Sequence, residues 1–92
     1  MLVGRAQQLR VHTAFARDEA LGWAELWAGE IEAADTQFSA LLAEVEASTP
    51  PGLPLASALN SLGAARRAAG RLDEATELLQ REANVKLTHI PY

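Results

Sequence analysis

Few residues of this 92-residue chain are of the types that carry out catalysis. There is no cysteine, which excludes a thiolate nucleophile and thiolate metal ligands. The two histidines, His12 and His89, are far apart in the sequence, and no serine lies in a recognisable nucleophile motif. Glu30 and Glu32 lie near a turn, but they have neither a nearby histidine nor an oxygen-rich loop to complete a metal site. We therefore expect a protein that is not an enzyme and has no catalytic, cofactor or metal site.

Two tryptophans, Trp23 and Trp27, are the side chains best suited to bind another molecule. Their i, i+4 spacing puts both on one face of a helix. Large planar side chains placed in this way can anchor an apolar group of a partner. The alternative is that the N-terminal segment or a second subunit covers them.

The chain aligns with itself at a constant offset, without any insertion, when Leu21 is placed on Leu62. Leu21, Gly22, Ala24, Ala28, Gly29 and Ala34 then recur as Leu62, Gly63, Ala65, Ala69, Gly70 and Ala75. A fixed period of this size is typical of repeat arrays, in which one helical hairpin cannot bury its apolar face without a neighbour. The repeat therefore favours a binding scaffold.

The composition predicts an all-α fold, because alanine and leucine dominate and almost no segment alternates as a strand would. Glycines and prolines divide the chain into four helices, at about 5–28, 31–47, 54–69 and from 72 to before Pro91. Gly29 and Gly70 are expected to end helices in the left-handed conformation. Gly22 and Gly63 lie inside helices, which predicts a close approach of another helix at each.

Apolar residues at helical spacing form a stripe on each of the last three helices. The predicted stripes are Ile31, Ala34, Phe38, Leu41, Leu42 and Val45; Leu55, Ala58, Leu59, Leu62, Ala65 and Ala69; and Leu72, Ala75, Leu79, Ala83 and Leu87, which Ile90 would extend.

Charge is unevenly distributed along the chain, whose net charge is −4. Residues 18–46 carry eight acidic residues and no basic ones. This acidic block argues against nucleic acid as the partner, because such binding depends on neutralising phosphates, and it favours a neutral or basic protein. Alternatively, the acids form a solvated face that keeps an alanine-rich helix soluble. The apolar runs are too short to span a membrane, and the polar residues after Val3 do not resemble a signal peptide, so we expect a cytoplasmic location.

The segment 59–79 resembles a tetratricopeptide repeat. Its Leu62–Gly63 pair, turn glycine Gly70 and helix alanine Ala75 match the pattern of that family, and residues 21–38 repeat it. The resemblance implies antiparallel helix hairpins stacked as a short right-handed solenoid. Residues 1–92 would form one domain, with repeat 1 at about 15–47, a proline-rich connector at 48–54 and repeat 2 at about 55–88.

The resemblance also implies a function, because the first helix of each repeat lines a concave groove that holds a peptide or protein segment. The groove register of the family contains Ala16, Glu19, Trp23, Leu26, Trp27, Ser57, Asn60, Ala64, Arg67 and Ala68. Of these, we expect Glu19, Trp23, Trp27, Asn60 and Arg67 to contact the partner. Asn60 can bind a peptide backbone, and Arg67 a carboxylate.

Two repeats are fewer than such arrays generally need, so we also expect a homo-oligomer. Two other interpretations stay open: a self-associating, homodimeric structural module, and a regulatory fragment of a larger protein with the same repeats.

Overall fold

The computed structural model describes residues 2–48 and 53–89, with side chains for 14–47 and 54–87. Every described residue outside the short turn segments lies in one of four α-helices. These are α1 (Leu2–Trp27), α2 (Ile31–Ser48), α3 (Leu53–Ala68) and α4 (Leu72–His89). The predicted all-α class is confirmed, and the helix boundaries lie close to those expected. Residues 49–52 of the predicted connector, Ile90 and Pro91 lie outside the described residues.

Two glycine turns join the helices into hairpins. Gly29 and Gly70 have φ of 84° and 80°, in the left-handed region that glycine enters without a steric penalty. At the first turn, the Glu30 N–H donates to the Glu25 carbonyl at 2.8 Å and the Gly29 N–H to the Leu26 carbonyl at 3.1 Å. This pair of bonds is the Schellman motif, and the second turn repeats it. The predicted helix ends are therefore confirmed at both glycines.

The helices pack in chain order: α1 on α2, α2 on α3 and α3 on α4, with a smaller contact between α1 and α3. Phe38 and Leu59 are fully buried at the centre. The core cluster consists of Ala34, Phe38, Leu42, Ala58, Leu59, Leu62, Ala65 and Leu78. It lies mostly where α2 meets α3, which holds the two hairpins together by apolar burial.

The two helical glycines mark close approaches, as predicted. A β-carbon built on Gly22 would lie 2.3 Å from Cε1 of Phe38, far inside van der Waals contact. At Gly63 the corresponding distance to Cδ2 of Leu79 is 3.1 Å. Equivalent positions of the repeat thus serve the same purpose, in that each admits a large side chain from the second helix of its hairpin.

The apolar stripe predicted for α4 is wrong at its ends. Leu72, Ala83 and Leu87 are exposed, and Leu78, which the stripe omitted, is buried. The physical reason is that α4 packs on α3 by the side that carries Ala75, Leu78 and Leu79, so only the ends of the predicted stripe have no neighbouring helix among the described residues. The stripe predicted for α3 is wrong at Ala69, which is exposed because it follows the last residue of that helix.

Candidate functional site

Polar contacts join the first helices of the two hairpins side by side. The Glu19 carboxylate of α1 accepts hydrogen bonds from the hydroxyls of Ser57, at 2.6 Å, and Ser61, at 3.0 Å. The Trp23 indole N–H donates to the Ser61 hydroxyl oxygen at 3.2 Å. The pairs 19–57 and 23–61 have the same separation in sequence, so α1 and α3 run in the same direction. The two helices to which the predicted groove residues belong are therefore neighbours.

Small side chains form the side of α3 that faces α1. Ser57, Ser61, Ala64 and Ala68 follow one another at helical spacing along this side. The same alignment places Trp27 level with the region between Ala64 and Ala68.

The two tryptophans have different environments. Trp23 is half-buried, packs against the core and meets the Phe38 ring edge-on, with ring centroids 5.6 Å apart. Trp27 is 80% exposed and lies 5.9 Å from Trp23, with the two rings tilted by 44°. Trp23 is therefore part of the core packing, and Trp27 is the indole that another molecule can contact.

The remaining residues of the predicted site also differ in exposure. Asn60 and Arg67 are exposed on α3, whereas Glu19 is partly buried with its carboxylate bound to both serines. Within the wider register, Ala16 and Ala68 are exposed, and Leu26 packs against the core.

Ser61, the only buried polar residue among the described side chains, was missed by the sequence analysis. Its hydroxyl accepts from Trp23 and donates to Glu19, so both capacities of the group are used. A signal existed in the sequence, because the repeat places Ala20 at the equivalent position. A serine in place of an alanine, next to Leu62 of the apolar stripe, indicates a polar partner on the adjacent helix.

An ion-pair network between the hairpins was also missed. Nε of Arg66 lies 2.5 Å from the carboxylate of Asp35, and Nη1 of Arg66 lies 3.5 Å from the carboxylate of Glu74. Farther along, Arg81 pairs with Glu46 at 2.7 Å. Two members of the acidic block therefore neutralise arginines of the second hairpin and stabilise the contact between α2, α3 and α4.

Among the described residues, no three histidine, cysteine, aspartate or glutamate side chains lie together as a metal site would require. The side chains of His12 and His89 lie outside the described residues. No described helix is both long and apolar enough to cross a membrane.

Comparisons with family models, curated proteins and solved structures found no match to this chain.

Proposed function

We propose that this protein is an interaction scaffold of the tetratricopeptide type, which binds a neutral or basic segment of another protein on the surface formed by α1 and α3. The observation that carries the proposal is Trp27, a tryptophan 80% exposed beside an ordered contact between two helices. Burying a tryptophan side chain is strongly favourable in free energy because of its large apolar surface, and aromatic side chains are enriched at protein interfaces.

The equivalence of the two hairpins supports the solenoid part of the proposal. Ala34 and Ala75 are both buried, and both turn glycines adopt the same backbone conformation. The close approaches at Gly22 and Gly63 agree with the family's requirement for small residues there. A right-handed stack of such hairpins leaves the first helices side by side, with room for a ligand.

The contacts divide the site into supporting and binding residues. Glu19 and Trp23 hold α1 against α3 through the two serines, and so fix the orientation of Trp27. Trp27 supplies the anchor, because truncating a central aromatic commonly costs ~2 kcal/mol, which is about a 30-fold loss of affinity. Asn60 contacts the ligand backbone, and Arg67, in the last turn of α3, sets its direction.

The preference for neutral or basic ligands follows from the surrounding charge. Glu30 and Glu32 are exposed just beyond Trp27, at the start of α2. They attract a lysine or arginine of the ligand, and the attraction weakens with added salt because exposed charges are screened.

The test starts from a random peptide library displayed on phage and selected on the full chain. The affinity of the strongest synthetic peptide is then measured by isothermal titration calorimetry for the parent, Trp27→Ala, Asn60→Ala and Arg67→Ala. Leu87→Ala is the matched control, because Leu87 is an exposed apolar residue on α4, away from the site.

We expect selected peptides to be neutral or basic, Trp27→Ala to weaken binding about 30-fold, and Leu87→Ala to leave it unchanged. Asn60→Ala and Arg67→Ala should each weaken binding several-fold. Acidic peptides, or equal affinities of the parent and Trp27→Ala, would contradict the proposed site.

A further inference from the structure

The turn ends of the two hairpins carry opposite charges at equivalent positions. In the second hairpin, Arg66 and Arg67 lie in the last turn of α3, and Arg71 follows the turn glycine. The residues at the same places in the first hairpin are Glu25, Leu26 and Glu30. The last turn of α1 contains no basic residue. The first hairpin therefore lacks the three cations that the second hairpin has at this end.

The arginines of the second hairpin neutralise negative groups around its turn. Arg66 pairs with Asp35, and Arg71 pairs with Glu74. The last carbonyl groups of a helix also carry a partial negative charge, which a basic residue in the last turn offsets. The corresponding carbonyl groups of α1 have no basic residue in their own hairpin turn to offset this charge.

The carboxylates around the first turn add to this negative charge. Glu25, Glu30 and Glu32 are not ion-paired with any residue that the structure describes. Glu25 is two residues from Trp27 and so lies on the other side of the helix, where it contributes only to the electrostatic potential. Arg67 of α3 is level with this turn, but three carboxylates outnumber this one base.

Trp27 lies in this same last turn, where the second hairpin has Ala68. Its side chain is 80% exposed, and its ring centroid lies 5.9 Å from that of Trp23, with the two rings tilted by 44°. A ring with this much exposure leaves its faces largely open and does not enclose an aliphatic side chain. Its geometry favours a ligand group that lies flat on the indole.

A planar cation fits these surroundings better than an apolar group. The face of an indole attracts a cation placed within about 6 Å of the ring centroid, and the negative potential around the turn strengthens that attraction. A guanidinium is planar, stacks on aromatic rings and is more weakly hydrated than an ammonium. When it is stacked, the N–H groups along its edge stay available to a carboxylate.

We propose, on the basis of the proposed function, that Trp27 binds an arginine side chain of the partner segment. The guanidinium stacks on the indole, and its edge donates to the carboxylate of Glu30, the exposed acid that follows Trp27 by three residues. Glu32 and Glu25 add negative potential. The partner is therefore a segment anchored by arginine, and an apolar residue does not replace that anchor.

The first test uses three blocked amino acids as probes, namely the N-acetyl N-methylamides of arginine, lysine and leucine. Each is titrated to tens of millimolar into the isotope-labelled full chain and followed by nuclear magnetic resonance. The chain has two tryptophans and so gives two indole N–H signals. The Trp27 signal is the one that Trp27→Phe removes.

We expect the arginine probe to shift the Trp27 indole signal saturably, the lysine probe to do so more weakly, and the leucine probe to leave it unchanged. The Trp23 signal should move less, because that indole N–H is bonded to Ser61 within the fold. Added salt should weaken the arginine probe, since exposed charges are screened.

Variants of the chain then separate stacking from charge, with binding followed on the backbone amide signals of residues 28–30. Trp27→Leu keeps an apolar side chain and should weaken the arginine probe about fivefold, whereas Trp27→Phe should retain part of the binding. Glu30→Gln should weaken it about two- to threefold. Asp73→Asn is the matched control, because it removes one exposed acid at the start of α4. Circular dichroism checks that the helix content of each variant is unchanged.

The second test uses the peptide selected on the full chain and separates this inference from the proposed function. Each arginine of the peptide is replaced in turn by lysine, citrulline and leucine. At one position, citrulline and leucine should weaken binding to the parent about fivefold and lysine less, and none of the three should matter to Trp27→Leu.

A leucine probe that shifts the Trp27 indole as strongly as the arginine probe would overturn the inference, as would the absence of any arginine-dependent shift. If the selected peptide depends on Trp27 but binds equally well after every arginine is replaced, the proposed function stands and the arginine anchor is wrong. If the peptide binds the parent and Trp27→Ala equally, the proposed site is wrong, whatever the probes show.

Discussion

The close approach of Phe38 to Gly22 gives a quantitative prediction about stability. Replacing a helical glycine with alanine ordinarily stabilises by up to ~1 kcal/mol. At Gly22, however, the new β-carbon would lie 2.3, 2.7 and 2.8 Å from three atoms of a ring that is fully buried. Overpacking of this kind costs ~1 to 3 kcal/mol, and this clash is at the upper end because an aromatic ring cannot yield by a simple rotation. We expect Gly22→Ala to lower the free energy of unfolding by about 2 kcal/mol in total.

Gly63→Ala is the matched control. The atom nearest to a β-carbon built on Gly63 is a terminal methyl of Leu79, at 3.1 Å, which belongs to a flexible and half-buried side chain. A small movement of that methyl removes the clash, so the helix-propensity gain should survive in part, with a change between 0 and about 1 kcal/mol in favour of the folded state.

Urea unfolding, followed by far-ultraviolet circular dichroism at low micromolar concentration, measures both changes. In melting temperature, each kcal/mol corresponds to ~4 to 8 °C for a chain of this size. In the Phe38→Leu background, Gly22→Ala should cost less than half as much, which a double-mutant cycle would report as a coupling energy. Equal effects of the two alanine substitutions, or an additive cycle, would refute the reasoning.

The same titration tests three further expectations. Gly70→Ala should lower the free energy of unfolding by ~1 kcal/mol. Nothing lies within 4 Å of the β-position, so the only cost is that of placing an alanine in the left-handed backbone conformation. Asp35→Ala should lose ~1 to 2 kcal/mol, since the mostly buried Arg66 keeps only its more distant carboxylate partner. Trp27→Ala should stay within ~0.5 kcal/mol of the parent, as for other exposed sites, whereas Trp23→Ala should cost ~3 kcal/mol or somewhat less because this ring is half-buried.

Local features of the chain could be predicted well from the sequence. Gly29 and Gly70 end helices because a left-handed residue is needed at those points, and this requirement depends only on neighbouring residues. The stripe around Phe38 was also recognisable, because it lies on a helix between two others. Each of these signals is complete within one helix or one turn.

Contacts between helices were much harder to predict. The bonds of Ser61 to Glu19 and Trp23 join residues that are distant in the sequence, and they depend on how α1 and α3 are aligned. The exposed ends of the α4 stripe were misjudged for a related reason. An apolar stripe indicates which side of a helix seeks a neighbour, but Leu72 and Leu87 show that it does not indicate whether that neighbour is present.

The ion pair between Asp35 and Arg66 has a consequence for folding fidelity. Two hairpins with similar apolar faces can pair wrongly, for example with α2 of one molecule on α1 of another, which is a common failure of repeat proteins. In that wrong pairing, Asp35 would meet Glu25, and two partly buried carboxylates would repel each other. The correct pairing is therefore selected by charge as well as by shape, and a single change of sign at position 25 should make the two hairpins exchange partners more readily during refolding.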